Sequence, residues 1–136
     1  MQQLADAGIY LVLDVNNPQY SINRDNPAPS YNDVYLQSVF STIDEFAKYS
    51  NTLAFFSGNE VINDKPNTVK SAPYVKATTR DMRQYIGSRG YRKIPVGYSG
   101  ADVSENRMQT AHYFNCGSDD ERSDFFAFVG CHYRRA

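Results

Sequence analysis

The stretch Leu53-Ala54-Phe55-Phe56-Ser57-Gly58-Asn59-Glu60 limits the folds open to this chain more than any other. It is a short apolar run that stops abruptly at a glycine, an amide and a carboxylate. Strands buried on both faces read as continuous apolar runs, whereas strands with one wet face alternate. Ile9-Tyr10-Leu11-Val12-Leu13-Asp14-Val15 has the same character and carries a carboxylate, Asp14, near its end. Between the two runs, Leu36, Val39, Phe40, Ile43, Phe46 and Ala47 recur at spacings of three and four, the period of one helix face. Ser30, with Asp33 three positions on, predicts the start of that helix. Strand, helix, strand in this order predicts a right-handed crossover between parallel neighbours, with Asp14 and Glu60 on the same rim of one sheet.

The alternation continues along the chain. Leu4, Ala5 and Ala7 before Gly8 predict the end of a first helix. Ser71-Ala72-Pro73 predicts another helix start, with Val75, Thr78, Met82, Tyr85 and Ile86 on one face and Gly87 and Gly90 at its end. Ile94 to Ser99 is a third strand, and Gly100-Ala101-Asp102 turns out of it, bringing Tyr98 and Asp102 to the rim. Met108, Ala111 and His112 mark a short helix, and Asp124 to Phe128 begins a fourth strand. The fold class is α/β, a partial (β/α)8 TIM barrel with about four of its eight strands, because a complete barrel takes roughly 250 residues and this chain has 136. Residues 1–128 form the barrel segment. From Val129 the chain neither finishes a buried strand nor starts a helix, so 129–136 read as an appended tail.

Charge and motifs exclude several functions. Fourteen basic and 15 acidic residues give a net charge of -1, with no Lys/Arg block longer than Arg134-Arg135, so there is no footprint for nucleic acid. His112 and His132 stand apart from any cluster with metal-ligand spacing, and no cofactor motif occurs. A serine hydrolase elbow is incomplete at Gly97-Tyr98-Ser99-Gly100, which is one spacer short. Cys116 and Cys131 cannot by themselves define a disulfide framework; Cys116 is either a structural thiol or half-cystine, or a nucleophile that needs a nearby base. Neither a signal peptide nor a membrane-length apolar run is present in the 136 residues, which reads either as a cytosolic protein or as one whose N-terminus is missing.

Residues just past the C-terminal end of a barrel strand line the active site, so Glu60 is either a surface loop carboxylate or a general acid/base. An Asn-Glu pair there is where retaining glycosidases place the acid that protonates the leaving oxygen, with the Asn binding sugar. Asp14 is either a loop cap for Asn16-Asn17-Pro18 or a second acid beside Glu60. The loop from Asn16 to Ser30, with three prolines, is of the long kind that holds binding residues. The 11 Tyr and 8 Phe suit a core and a sugar-stacking surface alike, so a non-catalytic glycan-binding role through Tyr98, Tyr20 and Tyr31 also stands.

Several ordered motifs carry a closer resemblance. Leu13-Asp14-Val15, Tyr20-Ser21-Ile22-Asn23-Arg24, Phe56-Ser57-Gly58-Asn59-Glu60-Val61-Ile62-Asn63-Asp64, Arg92 to Ser99 and Tyr113-Phe114-Asn115-Cys116-Gly117 together resemble the fungal β-1,3-glucanosyltransferases of glycoside hydrolase family 72. The resemblance implies a (β/α)8 catalytic domain that cleaves a β-1,3-glucan donor, holds one part as a glycosyl-enzyme and transfers it to an acceptor glucan in cell-wall assembly. By position it implies Glu60 as acid/base, Asn59 as the amide contacting the donor sugar, and Asp14, Tyr98 and Asp102 around the glucan cleft. The family nucleophile, a second Glu on a later strand, has no counterpart here. Cys116 corresponds to a half-cystine whose partner lies downstream. The family also implies a cell-surface location through a lipid anchor, whose signal is absent from these residues, and the departure after Phe128 implies truncation or a retained intron.

Overall fold

Strands β1 (Leu11–Asp14), β2 (Thr52–Asn59), β3 (Val96–Gly100) and β4 (Phe125–Phe128) lie parallel and side by side in chain order. Helices α1 (Gln2–Asp6), α2 (Pro27–Ser30), α3 (Asp33–Phe46), α4 (Ala72–Ser88) and α5 (Arg107–Asn115) fill the connections, and a 3₁₀ turn at Pro66–Ser71 leads into α4. The computed structural model describes residues 1–128; the tail expected over 129–136 lies outside them. Each parallel pair of strands is bridged by a helical segment, the arrangement expected of a partial barrel.

Period-two alternation divides the sheet into two unlike faces. Leu13, Phe55, Val96, Tyr98 and Phe126 share the face covered by Val39 and Ile43 of α3, Val75 and Met82 of α4 and Phe114 of α5. Phe55, Val96, Tyr98 and these five helical side chains are all 0 % exposed. Fully burying such a side chain contributes about 1.5–3 kcal/mol, so this layer holds the unit together. On the other face, strand register aligns Asp14, Phe56, Gly97 and Phe125 in one row and Asn59, Ser99 and Ala127 in the next. Gly97 is required there by close approach, since a Cβ on it would lie 2.6 Å from both the ring and the carbonyl oxygen of Phe125.

A register shift between Phe56 and Gly58 lets Ser57 and Gly58 both face the helices. The Ser57 hydroxyl donates to the Gly97 carbonyl (3.1 Å) and accepts from Thr79 of α4 (2.8 Å), while a Cβ on Gly58 would sit 3.2 Å from Val75. The extra residue turns Asn59 to the face opposite the helices.

Some local expectations are corrected. Asn32, not Ser30, caps α3: its side chain accepts from the Tyr35 N–H at 3.0 Å. Ser30 ends α2 instead, donating to the Pro27 carbonyl and accepting from the Asn23 N–H. The Asn16–Ser30 loop therefore contains a short helix, because prolines 27 and 29 suit a first turn that needs no N–H donor. Helix α4 runs through Gly87, and the chain leaves it at Gly90, whose φ is +69°. Between the helices, Asp44 of α3 accepts from the hydroxyls of Tyr91 (2.6 Å) and Tyr85 (2.8 Å), and the Tyr91 bond first of all holds its carboxyl below the usual range.

In the described residues β1 and β4 are each paired on one side only, and Val12 (41 %), Leu53 (52 %) and Phe128 (43 %) are exposed. Open edges beside apolar surface favour association. The purified 136-residue chain is expected to sediment as oligomers and to melt broadly; a monomeric profile with a sharp melt would contradict this.

Candidate active site

The C-terminal ends of β1 and β2 bring Asp14 and the Asn59-Glu60 pair to one rim, as adjacent parallel strands require. Asn59, the last residue of β2, is exposed opposite the helix layer, and Glu60 follows it with its side chain half-exposed. Glu60 has φ +49°, the only positive value at a non-glycine among the described residues. That left-handed conformation costs an L-residue roughly 1–2 kcal/mol, so neighbouring contacts must hold it. Two such contacts come from β3. The Glu60 N–H donates to the Ser99 carbonyl at 2.8 Å, and the Ile62 N–H donates to the Tyr98 hydroxyl at 3.0 Å. Further along the loop, the Asn63 N–H donates to Thr68 Oγ1 (3.1 Å) and its carbonyl accepts from Asn106 Nδ2 (2.9 Å).

Tyr98 is therefore not the rim aromatic that was expected. Its parity along β3 sends the ring to the helix side, where it is 0 % exposed, stacked on Phe114 at 4.3 Å and tilted against Phe126 at 6.0 Å. Burial pushes its hydroxyl up to about 12, against the lowering effect of the Ile62 and Val61 backbone N–H groups. Asp102 does lie just past β3, and it is paired with Arg107 of α5, whose guanidinium also covers the Phe128 ring at 4.4 Å. Tyr31 and Tyr20 are half-buried: the Tyr31 hydroxyl is engaged by Asp81, and Tyr20 lines an open concavity with Gln19, Ser21 and Asn32. Cys116 is exposed and unpaired among the described residues; Lys76 Nζ lies 3.5 Å from its sulfur, and Cys131 is outside the described range.

Asp14 is both a loop cap and a rim carboxylate. Its Oδ1 accepts from the Asn16 N–H (2.9 Å) and from Asn16 Nδ2 (2.7 Å), closing the turn out of β1. Protein around the carboxyl desolvates it and raises its pKa above 3.8, while the two Asn16 bonds pull the other way. Asn16 is the site residue that sequence reasoning missed. Its Nδ2 also donates to the Ser57 carbonyl (3.2 Å), and its Oδ1 accepts from the Tyr35 hydroxyl (2.9 Å), which lies 3.3 Å from Thr78 Oγ1. The Asp-x-Asn spacing is a local signal for the first bond. Nothing in the sequence marks Tyr35, which is 2 % exposed and one residue before the helix face traced from Leu36.

Comparison with known proteins places this chain in a family. The glucanosyltransferase model of glycoside hydrolase family 72 matches residues 1–133. The chain belongs to that family. It is 73% identical over 128 residues to the 1,3-β-glucanosyltransferase gel1 of Aspergillus fumigatus, covering 94% of this chain and 28% of gel1. It is 58% identical to the 1,3-β-glucanosyltransferase gas4 of Schizosaccharomyces pombe, again over 94% of this chain and 28% of the relative. Saccharomyces cerevisiae Gas2p in complex with laminaripentaose superposes with a TM-score of 0.87 at 39% identity, over 93% of this chain and 28% of Gas2p. The chain thus spans little more than a quarter of the length of these proteins, and its sheet is part of a TIM barrel.

Because desolvation raises the Asp14 pKa and Asn16 lowers it, Asn16→Ala should raise it further, read as a higher midpoint for the Asp14 carboxyl carbon in an NMR titration; an unchanged or lower midpoint would contradict the assignment. The folded state binds this proton more tightly than the unfolded chain, so Asp14 adds stability as pH falls from its raised pKa toward 3.8.

Proposed function

We propose that this segment supplies the acid/base half of the active site of a retaining 1,3-β-glucanosyltransferase that lengthens β-1,3-glucan in the fungal cell wall. The observation that carries the reading is Asn59-Glu60 at the end of β2, on the same rim as Asp14. Glu60 donates a proton to the glycosidic oxygen as the donor chain is cleaved, then as carboxylate takes the proton of the acceptor hydroxyl. Asn59 holds the donor sugar, and Asp14 and Asp102 line the glucan cleft. Tyr98, buried beneath α5, has no part in contacting sugar.

A retaining reaction uses a second carboxyl about 5–5.5 Å from the acid/base. In this reading that nucleophile comes from a later strand of the full-length protein. The names of gel1 and gas4 and the laminaripentaose complex of Gas2p support β-1,3-glucan as both donor and acceptor. A cell-surface location through a lipid anchor, and a Cys116 disulfide to a downstream cysteine, belong to the same proposal.

In the full-length protein, Glu60→Gln is expected to lower transfer between laminari-oligosaccharides by about 10²–10⁴-fold, measured as the appearance of chains longer than the substrate. Wild-type transfer by that variant would refute the assignment. The isolated 136-residue chain should neither shorten nor lengthen laminari-oligosaccharides, and turnover by it would show that no outside nucleophile is needed.

A further inference from the structure

A hydrogen bond to its hydroxyl ties Tyr98 to the loop that carries Glu60. The ring is sealed between Phe114 and Phe126 and is 0 % exposed, out of reach of any glucan on the rim. The hydroxyl nevertheless accepts the Ile62 N–H at 3.0 Å, two residues past Glu60, while the next residue of β3, Ser99, takes the Glu60 N–H at 2.8 Å. Two consecutive β3 residues thus bracket the one described non-glycine residue with a left-handed backbone. The Ser99 bond continues the β2–β3 ladder and would form for any residue at 99. The Tyr98 bond depends on a side chain, on the stacking that aims it, and on Gly58, where a Cβ would lie 3.3 Å from the Tyr98 ring.

We infer that Tyr98 is a positioning residue: its hydroxyl, through the Ile62 amide, keeps the Glu60 carboxyl aimed at the leaving glycosidic oxygen. The inference rests on the acid/base role proposed for Glu60. In the first step the nucleophile bonds to the anomeric carbon, the glycosidic C–O bond breaks, and its electron pair goes to the leaving oxygen, which takes the Glu60 proton. A sugar alkoxide needs that proton to leave. A dinitrophenolate departs without it.

The test compares Tyr98→Phe with wild type in the full-length protein, using a laminari-oligosaccharide donor and a dinitrophenyl β-laminarioside. Displacing the acid by about an ångström costs on the order of 10²-fold, so kcat with the oligosaccharide should fall about 10- to 100-fold with KM little changed. Release of dinitrophenolate in a single turnover should stay at the wild-type rate. Equal slowing of both donors, or no slowing of either, would overturn the inference. Glu60→Gln serves as the reference: if it slows both donors equally, the acid/base reading itself fails and the Tyr98 inference with it. Phe114→Leu, which loosens the stacking that aims the hydroxyl, is expected to show the same donor-selective loss to a smaller degree; equal slowing of both donors by this variant would overturn the inference. Should Tyr98→Phe not fold, hydrogen exchange of the Ile62 amide in the wild-type protein decides: protection like that of β3 amides supports the tether, and exchange at the rate of an open loop removes it.

Discussion

Burial of Tyr98 beneath α5 couples the core of this segment to the loop that carries Glu60. The ring belongs to the layer that closes the helix side of the sheet, and the hydroxyl at its far end finds a partner in the loop leaving β2. A buried phenol without a hydrogen-bond partner costs free energy, so packing the ring also fixes the loop. The unusual backbone at Glu60 is sustained by the same arrangement, since both groups that hold it come from consecutive residues of β3. Stability and site geometry are therefore not separable at this strand.

The other rim carboxylate is held by different means. Asp14 sits at the end of a short strand, and its orientation comes from Asn16, whose amide is committed on both sides. Tyr35 donates to Asn16 Oδ1, which fixes which end of the amide faces Asp14 and Ser57. A chain of hydrogen bonds thus runs from the rim carboxylate through Asn16 and Tyr35 to Thr78 in α4. Burial of Tyr35 pushes its phenol pKa well above the ordinary value.

The two faces of the sheet divide these tasks. Helices cover one face with a layer of fully buried side chains, and the opposite face carries Asn59, Ser99 and the Phe56–Phe125 pair, whose rings are 5.5 Å apart. In a TIM barrel, of which this sheet is part, the face opposite the helices is the barrel interior, filled by inward-pointing side chains. The apolar character of Phe56 and Phe125 suits a closed barrel better than an open sheet.

Much of this was legible in the amino-acid order because it depends on local pattern. The continuous apolar runs ending at Asp14 and Glu60, and the helical period between them, determine parallel neighbours with both carboxylates on one rim, since a crossover helix leaves the chain no other short route. Ordered motifs around Asn59-Glu60 determine the family. The direction of Tyr98 was decided only in three dimensions, because a register shift at Ser57-Gly58 and the approach of Phe114 from α5 set which way β3 faces relative to the loop. The roles of Asn16 and Tyr35 were likewise decided by tertiary structure: Asn16 Nδ2 meets the Ser57 carbonyl 41 positions away, and Tyr35 meets Thr78 43 positions away. Periodicity assigns a residue to a face, but a hydrogen bond also needs the distance and direction that only packing of distant elements supplies.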